Sequence, residues 1–154
     1  MTNATTDATT GHSPTGTGAI DRLRAAMDRG AALRPRVGGF PHLAESLRQA
    51  GVTHCRMAVP ANAFLYLTEH GNVVVQGEPL ATGFAVAPPF GRAALEAALR
   101  ADQAGLTAFP EFVRGCWEAG VVWYEVDLVA RTCTYHGADG ASYREDYPAV
   151  TLPG

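Results

Sequence analysis

Apolar positions change period several times along this chain, and each change marks an element. Ile20, Leu23, Ala26 and Met27 recur at helical spacing, and Gly30 closes the pattern. This predicts a first helix with Asp21 in its opening turn, where a carboxylate suits the helix dipole. A Pro/Gly connector runs from Arg34 to Gly39. Pro41 then stands where a helix start tolerates proline, Leu43, Leu47 and Ala50 form an apolar stripe, and Gly51 punctuates its end. From Val52 to Val59 the pattern alternates and predicts a strand. Phe64 to Leu67 predicts a second strand, and His70-Gly71-Asn72 a turn. Val73-Val74-Val75 predicts a third strand, because successive β-branched residues favour extended backbone. Thr82 to Val86 predicts a short fourth, stopped by Pro88-Pro89.

The same order then returns. A helix is expected over Ala93 to Ala104, with Gly105 closing it. A second opens at Phe109-Pro110, carries Phe112, Val113, Cys116 and Trp117 as its buried stripe, and ends at Gly120. Strands are predicted over Val121 to Val129, Arg131 to His136 and Ser142 to Glu145, with Ala138-Asp139-Gly140 as a hairpin turn. The recurrence extends to residue identities. Phe40-Pro41, Ala50-Gly51-Val52, Ala61, Tyr66 and Gly71 reappear as Phe109-Pro110, Ala119-Gly120-Val121, Ala130, Tyr135 and Gly140. Phe40 and Phe109 stand 69 positions apart, and so do Gly71 and Gly140. Ungapped self-similarity of this kind predicts an internally duplicated helix-helix-strand-strand unit.

The expected architecture is therefore α+β. The strands of the two repeats, about 19–76 and 92–146, join into one mainly antiparallel sheet with helices packed on one face. One long sheet buries more apolar surface than two isolated pieces, and an approximate twofold should relate the halves. Gly77 to Gly91 is the linker. Residues 1–18, rich in Thr, Ala, Gly, Asp and Pro, are expected to be a disordered tail preceding a single domain over 19–154. The tail does not read as a secretory signal.

Composition narrows the function classes. The chain has 154 residues, 47% of them hydrophobic and 18% charged, with a formal net charge of −3. That balance gives no general attraction to nucleic acid or anionic lipid, and no apolar run is long enough to span a membrane. All the basic charge is arginine. Coding bias explains this, and so does selection for bidentate anion binding. Cys55, Cys116 and Cys133 are odd in number and lie in apolar patterns. They read as small buried hydrophobes in a reducing cytoplasm rather than a disulfide framework. The spacings of His42, His54, His70 and His136 match no metal-ligand signature, so neither metal nor cofactor is expected.

The second half carries Phe109-Pro110-Glu111-Phe112, Ala119-Gly120-Val121, Tyr124-Glu125-Val126-Asp127-Leu128, Arg131-Thr132, Thr134-Tyr135, Gly137, Asp139-Gly140 and Tyr143. With these residues the chain resembles an uncharacterised bacterial family, the domain of unknown function 1398, over roughly 20–152. Some of its members carry the label phage envelope protein. The resemblance implies a small cytoplasmic α+β domain and brings no catalytic residue with it.

Candidate chemistry collects on the later strands. Tyr124, Asp127, His136 and Asp139 correspond in the repeat to Cys55, Ala58, Leu67 and His70, so the polar set is asymmetric. A two-residue turn at Arg131-Thr132 would place Asp127 opposite His136, where a carboxylate fixes an imidazole tautomer and completes half of an acid–base pair. Tyr135 is a third catalytic candidate. A cross-strand polar pair with no catalytic role has the same signature. Trp123 and Tyr124 must point to opposite faces, so one is core and the other is free to bind. Trp123, Tyr124, Tyr66 and Asp139 are the candidate ligand contacts. Three readings follow. The first is a non-enzymatic binding or interaction module for an unknown small molecule or protein, using the open sheet face or the seam between repeats. The second is a small enzyme built on Asp127 and His136. The third is a homodimer joined through the open face.

Overall fold

Two glycines with positive φ, Gly51 (93°) and Gly120 (86°), turn the chain from a helix directly into a strand in each half. The computed structural model describes residues 15–154. Helix α1 (Thr15–Leu33) packs on α2 (Phe40–Gln49), which leads into β1 (Val52–Ala58), β2 (Ala63–Thr68) and β3 (Val73–Gln76). After the linker, α3 (Arg92–Gln103) and α4 (Phe109–Glu118) lead into β4 (Val121–Asp127), β5 (Thr132–Gly137) and β6 (Ser142–Asp146). The fold is α+β. One six-stranded antiparallel sheet has the order β3-β2-β1-β4-β5-β6, so each half contributes three adjacent strands and the halves meet at β1 and β4.

The pairing repeats as the sequence does. Cys55 lies opposite Tyr66 in one half and Tyr124 opposite Tyr135 in the other. Both β1 and β4 carry a register shift at their start, between Val52 and His54 and between Val121 and Trp123. Both hairpins turn through a residue of left-handed backbone, Asn62 (φ 48°) and Arg131 (φ 59°). The two halves thus share strand order, register shifts and loop conformation at positions 69 residues apart.

The helices cover one face. Beneath them lie Cys55, Met57, Tyr66, Val73, Tyr124, Val126, Cys133 and Tyr135, together with Leu95, Leu99, Phe112, Val113 and Cys116 from the helices themselves. All three thiols are buried and free. Burial pushes each of them up to about 12, so they stay protonated and act as hydrophobes. The chain end returns over the same side: Leu152 is buried, and Arg29 Nη2 donates to the Pro153 carbonyl at 3.1 Å.

Four sequence expectations change. Helix α1 does not stop at Gly30. A Cβ there would lie 2.7 Å from Leu43 Cδ1 and 3.0 Å from Leu43 Cα, so this glycine serves the close crossing of α1 and α2. The helix also starts at Thr15, which puts 15–18 inside it and moves Asp21 out of the first turn. The rest of the expected tail, 1–14, lies outside the described residues. Trp117 is only partly buried against the core, and Phe112, Val113 and Cys116 carry the inner stripe of α4. Thr82 to Val86 forms no strand. The Leu80 and Ala81 amides donate to the Pro60 carbonyl and the Gly91 amide donates to the Ala119 carbonyl, so the segment is pinned at both ends and pairs with no strand between them.

Candidate functional site

Among the described residues nothing covers the sheet face opposite the helices, and strand alternation decides which side chains it presents. Tyr124 is 6% exposed on the helix side and Trp123 39% exposed on the open side, as two neighbours on one strand must be. The middle row across the open face reads Val74, Leu65, Arg56, Glu125, Thr134, Arg144. The row toward the hairpin loops of β1 reads Gln76, Ala63, Ala58, Trp123, His136, Ser142. The first-half strands therefore give this face an apolar half, and the second-half strands a polar one. Trp123 stands at their boundary.

Two contacts order this surface. The indole of Trp123 and the ring of His136 stack with centroids 3.9 Å apart and planes inclined by 6°. Arg56 Nε donates to the Glu125 carboxylate across β1 and β4. Beside them, over the first-half strands, lies a shallow depression of about 290 Å³, lined by Arg56, Ala58, Ala63, Leu65, Val74 and Trp123. Its walls are aliphatic and aromatic, and its one charged group is already paired.

The expected Asp127–His136 pair does not form. The β4–β5 loop holds four residues rather than two, so Asp127 lies opposite Thr132 and His136 opposite Trp123. Both remain on the open face, but four residues apart along the strand, about 13 Å. The cause is local. Asp127 Oδ1 accepts hydrogen bonds from the amides of Ala130 (2.8 Å) and Val129 (3.0 Å), and these fold the longer loop. The same two bonds, with the nearby His54, hold the Asp127 carboxyl below its usual range despite partial burial. The imidazole that Asp127 does meet is His54, from the other half: Nε2 lies 3.5 Å from Oδ2.

Tyr66, Tyr124 and Tyr135 are not on this face. All three are buried under the helices, and burial raises their hydroxyl pKa values. Asp139 sits in the β5–β6 turn, where Oδ1 accepts the Ala141 amide at 3.0 Å. Trp123 and His136 are thus the two candidates that the fold brings together on the open face, while Tyr124 and Tyr135 meet beneath the helices with ring centroids 5.3 Å apart. Sequence reasoning missed His54 as a partner of Asp127. The repeat predicts that the two meanders join about a twofold, but which strands meet, and in what register, depends on packing between the halves.

The fold and this face define a small α+β domain whose described residues leave one sheet surface uncovered. The sequence profile of the family described as "Protein of unknown function (DUF1398)" matches residues 35–145, and the chain belongs to that family. It is also similar to an uncharacterized protein of Mycobacterium bovis, at 51% identity over 135 residues, covering 88% of this chain and 82% of the relative. Uncharacterized proteins from two Mycobacterium tuberculosis strains match over the same shares at the same identity. Among the described residues no helix is long and apolar enough to cross a membrane, and no cluster of His, Cys, Asp and Glu is arranged to hold a metal ion.

Proposed function

We propose that the chain is a binding module rather than an enzyme, and that the apolar half of the open face is its docking surface. The observation that carries this reading is the Trp123–His136 stack at the edge of the aliphatic depression. An indole held flat by a neighbouring ring loses little freedom when a ligand lands on it, so its contact area translates efficiently into affinity. Catalysis fits the same surface poorly. Asp127 spends one oxygen on backbone amides, and its imidazole neighbour is not the one stacked on Trp123. Apolar ligands are the class that such walls select. The buried free thiols accord with a cytoplasmic setting.

The test is a titration with an apolar dye, anilinonaphthalene sulfonate, followed by amide NMR. Shifts should gather at Ala58, Ala63, Leu65 and Trp123 and be lost in Trp123→Ala, with unchanged circular dichroism. Shifts gathered instead in the groove between Leu80 and α4, lined also by Glu78 and Arg114, would refute the reading.

A further inference from the structure

We infer that the occupant of this surface is the Phe84–Val86 arm of a second copy of the same chain; this rests on the open face being the docking surface. Phe84 and Val86 are fully exposed, at 110% and 94% of their reference areas. Exposed apolar side chains of this size, two residues apart in a segment patterned as a strand, lack the partner their pattern calls for. The arm is rooted at the end of the sheet where the depression lies. The Gly77 amide donates to the Asn62 carbonyl, and the Leu80 and Ala81 amides donate to Pro60, all in or beside the β1–β2 loop. Gly83 (φ 64°) then bends the chain directly before Phe84.

The receiving surface is matched in chemistry and is bare where its counterpart is protected. On the second-half edge, Arg144 occupies the open-face position opposite Thr134, and Asp146 stands further along the strand. Charges at a sheet edge discourage pairing with another chain. On the first-half edge the corresponding position, opposite Leu65, is Val74, which is 68% exposed. An apolar arm and an apolar depression on one chain cannot be satisfied twice over by one small ligand. A twofold dimer satisfies both, because each copy gives its arm and receives the other's. Two Phe84 rings would withdraw about 300–500 Å² from water, and the surfaces they cover lose a similar area. With Val86 added, the total approaches the ~1,000 Å² that marks a specific interface.

Sedimentation equilibrium tests this on the full chain. The wild type should form a dimer, and the Phe84→Ser/Val86→Ser variant should dissociate about tenfold or more more readily. Val74→Ser, at an exposed position on the receiving side, should weaken the dimer as well. A synthetic peptide spanning Ala81 to Phe90 should shift the amides of Ala58, Leu65 and Val74 in the wild type and compete with dimerisation. A monomeric wild type, or a dimer indifferent to Phe84→Ser/Val86→Ser, overturns the arm exchange. If the dye still binds the open face in that case, the binding reading stands and only its occupant is wrong. If neither dye nor peptide moves those amides in the Phe84→Ser/Val86→Ser variant, whose surface no arm fills, both readings fall.

Discussion

Arg56 and Glu125 are equivalent residues of the two halves, 69 positions apart, and they form an ion pair with each other across the β1–β4 seam. The pairing around them is symmetric: His54 faces Asp127 at one side as Ala58 faces Trp123 at the other. The pseudo-twofold therefore passes through this pair. Two residues of the same charge at these positions would repel across the seam, and the Arg–Glu pair avoids that.

This relationship predicts a charge-swap result. Glu125→Arg sets two guanidinium groups face to face and should cost about 1 kcal/mol. Adding Arg56→Glu should recover most of that loss, since the swapped pair spans the same axis. Arg56 is about half exposed, which keeps the coupling small. Urea denaturation of the two single variants and the double variant measures it. A double variant no more stable than the sum of its singles would remove the pair from the account of the seam.

Glu45 predicts a pH dependence. It is 8% exposed on α2, where Arg48 donates two hydrogen bonds to its carboxylate and Gln49 a third. Chiefly through Arg48, its pKa is lowered from 4.5 to about 2. A depressed carboxyl stabilises the fold fully above its ordinary value, and that contribution fades as pH falls from 4.5 toward 2. Glu45→Gln should therefore cost about 1 kcal/mol at neutral pH, allowing for the exposure of Arg48, and little near pH 2. Equal loss at both pH values would mean that packing, not charge, is what the substitution removes.

Gly30 separates helix propensity from helix packing. On propensity alone, Gly30→Ala inside α1 should gain about 1 kcal/mol. The new Cβ would instead meet Leu43 at both side chain and backbone, so a net loss of about 1–3 kcal/mol is expected. Calorimetric melting of the variant decides the sign, and a rise in Tm would show that α2 shifts freely.

Gly30 also shows how far the sequence reaches. Every helix and strand of the described fold was legible, because each buries one face and its apolar period follows from that; only at Thr82–Val86 does the pattern suggest a strand that does not form. A glycine that ends a helix and a glycine that lets two helices touch look identical in one dimension, so α1 was read three residues short. The opposite faces of Trp123 and Tyr124 were readable from alternation alone. The partner of Asp127 was not. Its pairing depends on loop length and on the register between halves, and Ala130-Arg131-Thr132 contains no Gly or Asn to announce the left-handed residue.

Arg131 supplies the last prediction, because its backbone fixes that register. At φ 59° it occupies a region that costs a non-glycine residue about 1 kcal/mol, and that asparagine tolerates better. The first half has Asn62 at the equivalent place, with φ 48°. The Arg131 side chain gives back only weak charge interactions, with Glu45 and the Tyr147 hydroxyl, while its carbonyl, which accepts the Tyr147 amide, is retained in any substitution. Arg131→Asn should therefore stabilise the protein by about 0.5–1 kcal/mol in urea denaturation, with the Trp123–His136 stack intact. Trp123 fluorescence, read in a Trp117→Phe background, reports the stack directly. Loss of stability together with a changed Trp123 signal would show that the arginine side chain, not the loop backbone, holds β4 and β5 in register.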